Sequence, residues 1–184
     1  MPQTEIDEKE LVKLLQDEKT RRDAFNKIVK LYQKRLYWQI RKMVASHDDT
    51  DDILQNAFIK AWCNIDKFRG ESSLMTWLYR IATNETLDFL SSAHSRHSAQ
   101  NTDVNDVLAT EVHGDVYFDG DEAQRKLQKA IMQLPEKQRL VFNLRYYDEM
   151  PYQQMSEILG TSEGALKASY HHAVKKLEEL VLAV

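Results

Sequence analysis

The stretch from Tyr152 to Tyr170 reads Tyr-Gln-Gln-Met-Ser-Glu-Ile-Leu-Gly-Thr-Ser-Glu-Gly-Ala-Leu-Lys-Ala-Ser-Tyr, two apolar-periodic runs broken at Gly160. Met155, Ile158 and Leu159 give the first run one face to bury. Gly160 accepts a left-handed turn at no steric cost, and Thr161 or Ser162 supplies a hydroxyl to cap a second helix anchored by Leu166, Tyr170, Val174 and Leu177. This is the layout of a helix-turn-helix. It leaves Ser162, Glu163, Lys167, Ser169, His171, His172 and Lys175 for the outward face, a mixture of donors, acceptors and cations suited to base edges in a major groove. An ordinary helical hairpin with solvated charges would carry the same turn signals, so both readings stand on these residues alone.

Other chemistries find little to work with. The sequence has no nucleophile elbow, no Gly-rich phosphate cradle and no Cys/His pair in a recognisable arrangement, so catalysis is not expected. His171-His172 and the pair His94 and His97 lack further Cys, His or carboxylate partners at ligand spacing, so neither a metal nor a cofactor is expected. The one cysteine, Cys63, can form no intramolecular disulfide, and the acidic Met1 to Glu10 is unlike a secretory signal, which together point to the cytoplasm. No apolar run approaches the roughly 20 residues needed to span a bilayer, so membrane insertion is not expected.

The elements that must position these residues are helical. With five Gly and three Pro in 184 residues, and Leu, Ala, Lys, Glu and Gln plentiful, the composition predicts an all-α fold. Ile6, Leu11, Leu14 and Leu15 put one apolar face on a helix from about Glu5 to Gln16. From Asp23 to Ala45, Phe25, Ile28, Val29, Leu31, Tyr32, Leu36 and Ile40 recur at three- and four-residue intervals among Lys and Arg, which describes a packed helix with a basic outer surface. Ser46 to Thr50 breaks that pattern, and Asp51 and Asp52 then read as the acidic first turn of a third helix ending near Ile65. A polar loop, Asp66 to Ser73, separates it from a fourth helix over Leu74 to Leu90.

From about Ser91 to Asp121 sustained periodicity is missing, which predicts a linker. Four further helices follow over Glu122 to Gln133, Glu136 to Tyr147, Pro151 to Leu159 and Thr161 to Leu182, jointed at Pro135, Pro151 and Gly160. The net charge of −4 would argue against a nucleic-acid partner if it were evenly spread. It is not. Ala99 to Glu122 holds seven carboxylates and no Lys or Arg, and setting these aside leaves +3 on the rest of the chain.

Two stretches together resemble the sigma-70 family, specifically its compact extracytoplasmic-function group. Asp51-Asp-Ile-Leu-Gln-Asn-Ala-Phe-Ile-Lys-Ala-Trp62 is similar to the family helix that docks on the polymerase clamp. Phe68-Arg-Gly-Glu-Ser-Ser, and Thr76-Trp-Leu-Tyr-Arg-Ile-Ala continuing to Asn84, resemble its promoter-melting segment. Leu134-Pro-Glu-Lys-Gln-Arg139, Tyr152 to Gly160 and Gly164-Ala-Leu-Lys167 resemble its minus-thirty-five reader.

The resemblance implies two small helical domains joined by an acidic flexible linker: residues 1–96 for polymerase binding and minus-ten melting, 97–121 as linker, and 122–184 as the helix-turn-helix domain. It implies core RNA polymerase, promoter DNA and an anti-sigma factor as partners. Asp51, Asp52, Gln55 and Asn56 would meet polymerase. Phe68, Arg69, Gly70, Glu71, Ser72, Arg80 and Asn84 would take an unstacked base and hold the displaced strand, with Lys60 and Lys67 adding charge. Arg145, Lys167, Ser169, His171, His172 and Lys175 would contact the minus-thirty-five element. The chain departs from the family in carrying Asn56 where an acidic residue is usual, Ser169 and His172 where Arg is frequent, and Ser91 to His97 where an Arg-rich run is found. Trp62 and Trp77, spaced with Leu74, Leu78 and Ile81, read as packing groups. A ligand-sensing helix-turn-helix regulator, or a helical adaptor that binds only protein, would each account for half of these motifs.

Overall fold

The computed structural model describes residues 8–44, 46–98 and 122–182, and among them every regular element is helical. The side chains of residues 94–98, and residues 99–121 of the stretch expected as linker over 97–121, lie outside the described set. In chain order the helices are α1 (Glu8–Gln16), α2 (Arg21–Val44), α3 (His47–Cys63), α4 (Leu74–Ser98), α5 (Glu122–Met132), α6 (Glu136–Tyr146), α7 (Tyr152–Leu159) and α8 (Glu163–Leu182), with a 3-10 turn over Ile65–Lys67 after α3.

The apolar spacing of α2 explains its place at the centre of the N-terminal bundle. Ile28, Leu36, Ile40, Met43 and Val44 are all buried, and α2 packs against α1, α3 and α4. Each such side chain contributes about 1.5–3 kcal/mol on leaving water. Ser46 starts α3: its backbone is extended and its side chain accepts the Asp49 amide. The acidic first turn is therefore Asp48 and Asp49, and Asp51 and Asp52 lie one turn further in than their sequence context suggests.

Helix α4 runs to Ser98, eight residues past the expected end at Leu90. No Gly or Pro interrupts Leu74 to Ser98, so the Ser and His residues there lower helix propensity without breaking the helix.

In the C-terminal part, Ala130, Ile131, Leu134, Phe142, Ala173 and Leu177 form a small core among α5, α6 and α8. Gly160 closes α7 in the left-handed region at φ 62° and ψ 28°, as the turn requires.

The two parts are docked. α6 packs on α2 and α7 packs on α4, and Leu140, Val141, Leu144, Met150, Met155 and Ile158 join the same buried cluster as Leu36, Ile40 and Leu78. Polar contacts edge this seam. Lys42 Nζ lies 2.8 Å from Asp148 Oδ1, with 16% and 18% of the two side chains exposed, and sits 4.7 Å from the Tyr147 ring centroid. Asn143 Nδ2 donates to the Lys42 carbonyl at 3.0 Å.

Candidate nucleic-acid and polymerase interfaces

Helix α3 presents Asp51, Asp52, Gln55 and Asn56 to solvent on adjoining turns. Because Asp48 and Asp49 already occupy the first turn, the macrodipole does not account for Asp51 and Asp52. Asp51 has His47 Nε2 at 3.6 Å, one turn back. Further along, Ile59 and Trp62 are exposed apolar residues on the same helix. Trp62 still packs edge-on against Phe25, ring centroids 5.1 Å apart, which agrees with a packing role that leaves one side wet.

The loop from Phe68 to Ser73 divides its residues by burial. Phe68 is buried and its ring lies 4.9 Å from Trp77, so it pins the loop to α4. Arg69, Gly70 and Glu71 are exposed and Ser72 is half-buried. Gly70 turns the chain at φ 73°. Ser73 Oγ accepts the Thr76 amide at 3.0 Å and so caps α4.

Helix α4 carries Asn84 exposed, beyond the loop. Thr83 beside it is buried and bonded to Gln39 of α2, which fixes the turn that presents Asn84. Arg80, one turn earlier, donates from Nη2 to the Glu157 carbonyl of α7. Lys60 donates to the Glu85 carboxylate, and this hydrogen bond is the main reason its pKa is raised. Lys67 Nζ bonds Asn64 Oδ1 at 2.8 Å.

In the helix-turn-helix, Ser162 Oγ accepts the Ala165 amide at 3.3 Å and caps α8, so this hydroxyl has a structural task. Lys167, His171, His172 and Lys175 are exposed, whereas Ser169 is half-buried. Lys167 forms an i,i+4 pair with Glu163 at 3.5 Å. Arg145 reaches the Glu149 and Met150 carbonyls at 3.4 and 3.3 Å.

Sequence spacing left one participant off the site. Tyr152, at the start of α7, has Arg145 5.4 Å and Lys167 5.5 Å from its ring centroid, so two of the expected DNA-contacting cations share one aromatic support. The two cations come from different helices, and only the folded turn brings them together. Among the described residues no group of His, Cys, Asp and Glu is arranged to hold a metal ion, and no helix is long and apolar enough to cross a membrane.

Comparison with known proteins fits this arrangement. Residues 28–96 match the family described as Sigma-70 region 2, and residues 124–177 match Sigma-70, region 4. The chain is 31% identical over 176 residues to the ECF RNA polymerase sigma factor SigW of Bacillus subtilis, covering 91% of this chain and 94% of that one. It is 29% identical over 166 residues to the ECF RNA polymerase sigma-E factor of Escherichia coli, covering 86% of each. In fold it is similar to the sigma factor RpoE solved with the anti-sigma factor NepR from Bartonella quintana, at TM-score 0.65 and 22% identity over 85% of this chain and 96% of that one. It is also similar to CnrH solved with the cytosolic domain of CnrY, at TM-score 0.69 and 21% identity over 96% and 97%. A bundle with an acidic exposed helix, a helix-turn-helix behind it, and relatives matched across nearly their whole length place this chain in the sigma-70 family, among its extracytoplasmic-function (ECF) sigma factors.

Proposed function

We propose that this chain recruits core RNA polymerase to particular promoters and opens the DNA there, working as a non-enzymatic initiation factor in the cytoplasm. The observation that carries the reading is the pairing, in one chain, of a solvent-facing acidic and amide stripe on α3 with a helix-turn-helix that exposes Lys167, His171, His172 and Lys175. Residues 1–96 would form the polymerase-binding and melting domain, 97–121 a linker, and 122–184 the minus-thirty-five reader.

Asp51, Asp52, Gln55 and Asn56 would hydrogen-bond basic groups on a polymerase helix. Arg69, Gly70, Glu71 and Ser72 would line one side of a base pocket completed by Asn84, whose amide can pair with a base edge, with Phe68 fixing the loop from below. Extruding a base costs a few kcal/mol, roughly what capture in a pocket and cations along the strand can return, so no nucleotide hydrolysis is required. Arg145, steadied beside Tyr152, would hold the DNA backbone while Lys167, His171, His172 and Lys175 meet the groove and Ser169 its edge. An anti-sigma protein is the expected inhibitor. An apolar groove lined by Leu127, Phe142, Tyr146, Tyr170, Val174 and Val181 is a surface such a protein could cover.

The test is reconstitution of the purified chain with core polymerase on genomic fragments, mapping transcript starts. Promoter-specific initiation without ATP-driven opening is expected. Unchanged start sites, or duplex binding that is equally specific without polymerase, would favour a conventional regulator and defeat the proposal.

A further inference from the structure

A cleft of about 930 Å³ opens between α2, α4 and the turn that joins α6 to α7. Neither the acidic and amide stripe of α3 nor the outward face of α8 contributes to it. Its volume lies within the roughly 300–1,000 Å³ of small-molecule sites, which favour junctions between domains and combine apolar or aromatic walls with a few polar groups.

Two cations line this cleft without an oxygen partner. Lys34 makes no hydrogen bond or ion pair among the described residues, and Arg35 finds only the Met75 thioether, Nη1 to Sδ at 3.2 Å. Sulfur is a weak acceptor, so the guanidinium keeps most of its capacity for an anion. Its charge is felt within the cleft: burial raises the pKa of Tyr32 and of Tyr79, and Arg35 opposes both rises.

Aromatic rings supply the walls. Tyr32 and Trp38 of α2 and Tyr147 of the turn are half-buried, and all three line the cleft. Such rings stack on planar bases of any sequence.

Glu149 adds an acceptor on the turn. Among the described residues it is the one non-glycine residue with positive φ, at 50°. That conformation is costly for glutamate, persists only where the surroundings enforce it, and clusters at ligand clamps. Here Arg145 Nη1 donates to the Glu149 carbonyl at 3.4 Å, and the Met150 amide donates to the Leu144 carbonyl at 3.0 Å. The Glu149 carboxylate is exposed and has no partner among the described residues.

Two cations in want of an anion, three aromatic walls and a carboxylate acceptor suit a planar, multiply charged anion that carries N–H donors. We propose that this cleft binds a purine nucleoside diphosphate, with Lys34 and Arg35 on the phosphates, Trp38 and Tyr147 against the base, and Glu149 accepting from the base edge. The assignment goes beyond the functional reading above and does not depend on it. It gives the chain a small-molecule input separate from its macromolecular partners.

The test is calorimetric titration of the full chain with ADP, GDP, UDP and sodium pyrophosphate as probes. ADP or GDP should bind with a Kd below about 100 μM, and UDP and pyrophosphate about tenfold more weakly, equivalent to about 1.4 kcal/mol. Lys34→Gln and Arg35→Gln should each weaken the purine diphosphate about tenfold. Both side chains are exposed and lack an oxygen partner, so the fold should survive, which circular dichroism checks. Glu149→Gln is the informative variant. Simple electrostatics predicts that removing this negative charge tightens every anion, whereas a base-edge acceptor predicts weaker purine diphosphate and equal or tighter pyrophosphate. Four outcomes overturn the proposal: no binding of ADP or GDP at millimolar concentration, pyrophosphate bound as well as either, Glu149→Gln tightening all probes alike, or purine diphosphate affinity unmoved in both cation variants. A mixed-sequence 20-nucleotide single strand is titrated alongside. If it binds more tightly than either purine diphosphate and loses that affinity in the same variants, the cleft is a strand path and the assignment falls.

Discussion

Gln39 of α2 and Thr83 of α4 meet side chain to side chain, Nε2 to Oγ1 at 2.6 Å, with 4% and 2% exposed. The bond stitches the two longest helices of the N-terminal bundle immediately beside Asn84. Thr83→Val keeps the shape and strands a buried amide, so a loss of about 1–3 kcal/mol is expected. Urea unfolding should show it, and adding Gln39→Leu should cost less than the sum of the single changes.

Asn84→Ala should separate melting from assembly if Asn84 completes the proposed base pocket. With the side chain exposed and no buried contact to lose, the fold should survive. Open-complex formation, followed by permanganate footprinting, should fall severalfold while affinity for core polymerase changes little. Equal losses in both would remove Asn84 from the pocket.

Gly160 gives a backbone test. A Cβ there would meet nothing within 4 Å, so Gly160→Ala isolates the strain of φ 62° without a clash. A loss of about 1–2 kcal/mol is expected, and Gly160→Asn should lose less, because Asn tolerates the left-handed region. Thermal unfolding of the two variants decides it.

Arg139 is fully buried in α6, yet only Nη1 finds an oxygen, the Met132 carbonyl at 2.8 Å, and Nε and Nη2 have no hydrogen-bond partner among the described residues. Burial lowers its pKa to about 10, with Glu136 acting the other way. Arg139→Met, which keeps the volume and drops the charge, should leave stability within about 1 kcal/mol or raise it. Arg139→Ala opens a cavity and should cost about 2–4 kcal/mol.

Tyr79 provides a pH signature. Burial first, then the nearby Asp148 charge, push its hydroxyl up to about 12, with Arg35 opposing. A folded-state pKa above the unfolded value near 10 means the contribution is complete below about pH 10 and is lost as pH rises through about 12. Wild type should therefore lose roughly 2–3 kcal/mol over that window that Tyr79→Phe does not. Tyr32 and Tyr147, also raised by burial, titrate in both proteins and cancel in the comparison.

The helix-turn-helix was legible in the sequence because its signals are local: Gly160 ends one helix, Ser162 begins the next, and Leu166 and Leu177 recur at helical spacing. The start of α3 was read four residues late, since paired Asp51 and Asp52 look like a first turn while the true cap, Ser46, sits among several polar residues of similar capping strength. The end of α4 was missed because Ser and His only mildly disfavour a helix and end one chiefly in the company of Gly or Pro, which this stretch lacks. Docking of the halves was invisible. Lys42 and Asp148 stand 106 positions apart, and neither lies in a pattern that names its partner. The same holds for Tyr152, whose two cations come from separate helices.

The Glu8 carboxylate in α1 accepts the Leu74 amide, so a side chain near the start of the protein closes the open end of α4 just after the Phe68–Ser73 loop. Proteolytic trimming past residue 8, or an expression tag that unravels the first turn, would leave that amide bare and loosen a loop sixty residues away. Preparations clipped at this end should dock on polymerase normally and yet open promoters poorly, a defect easily blamed on the wrong half of the molecule.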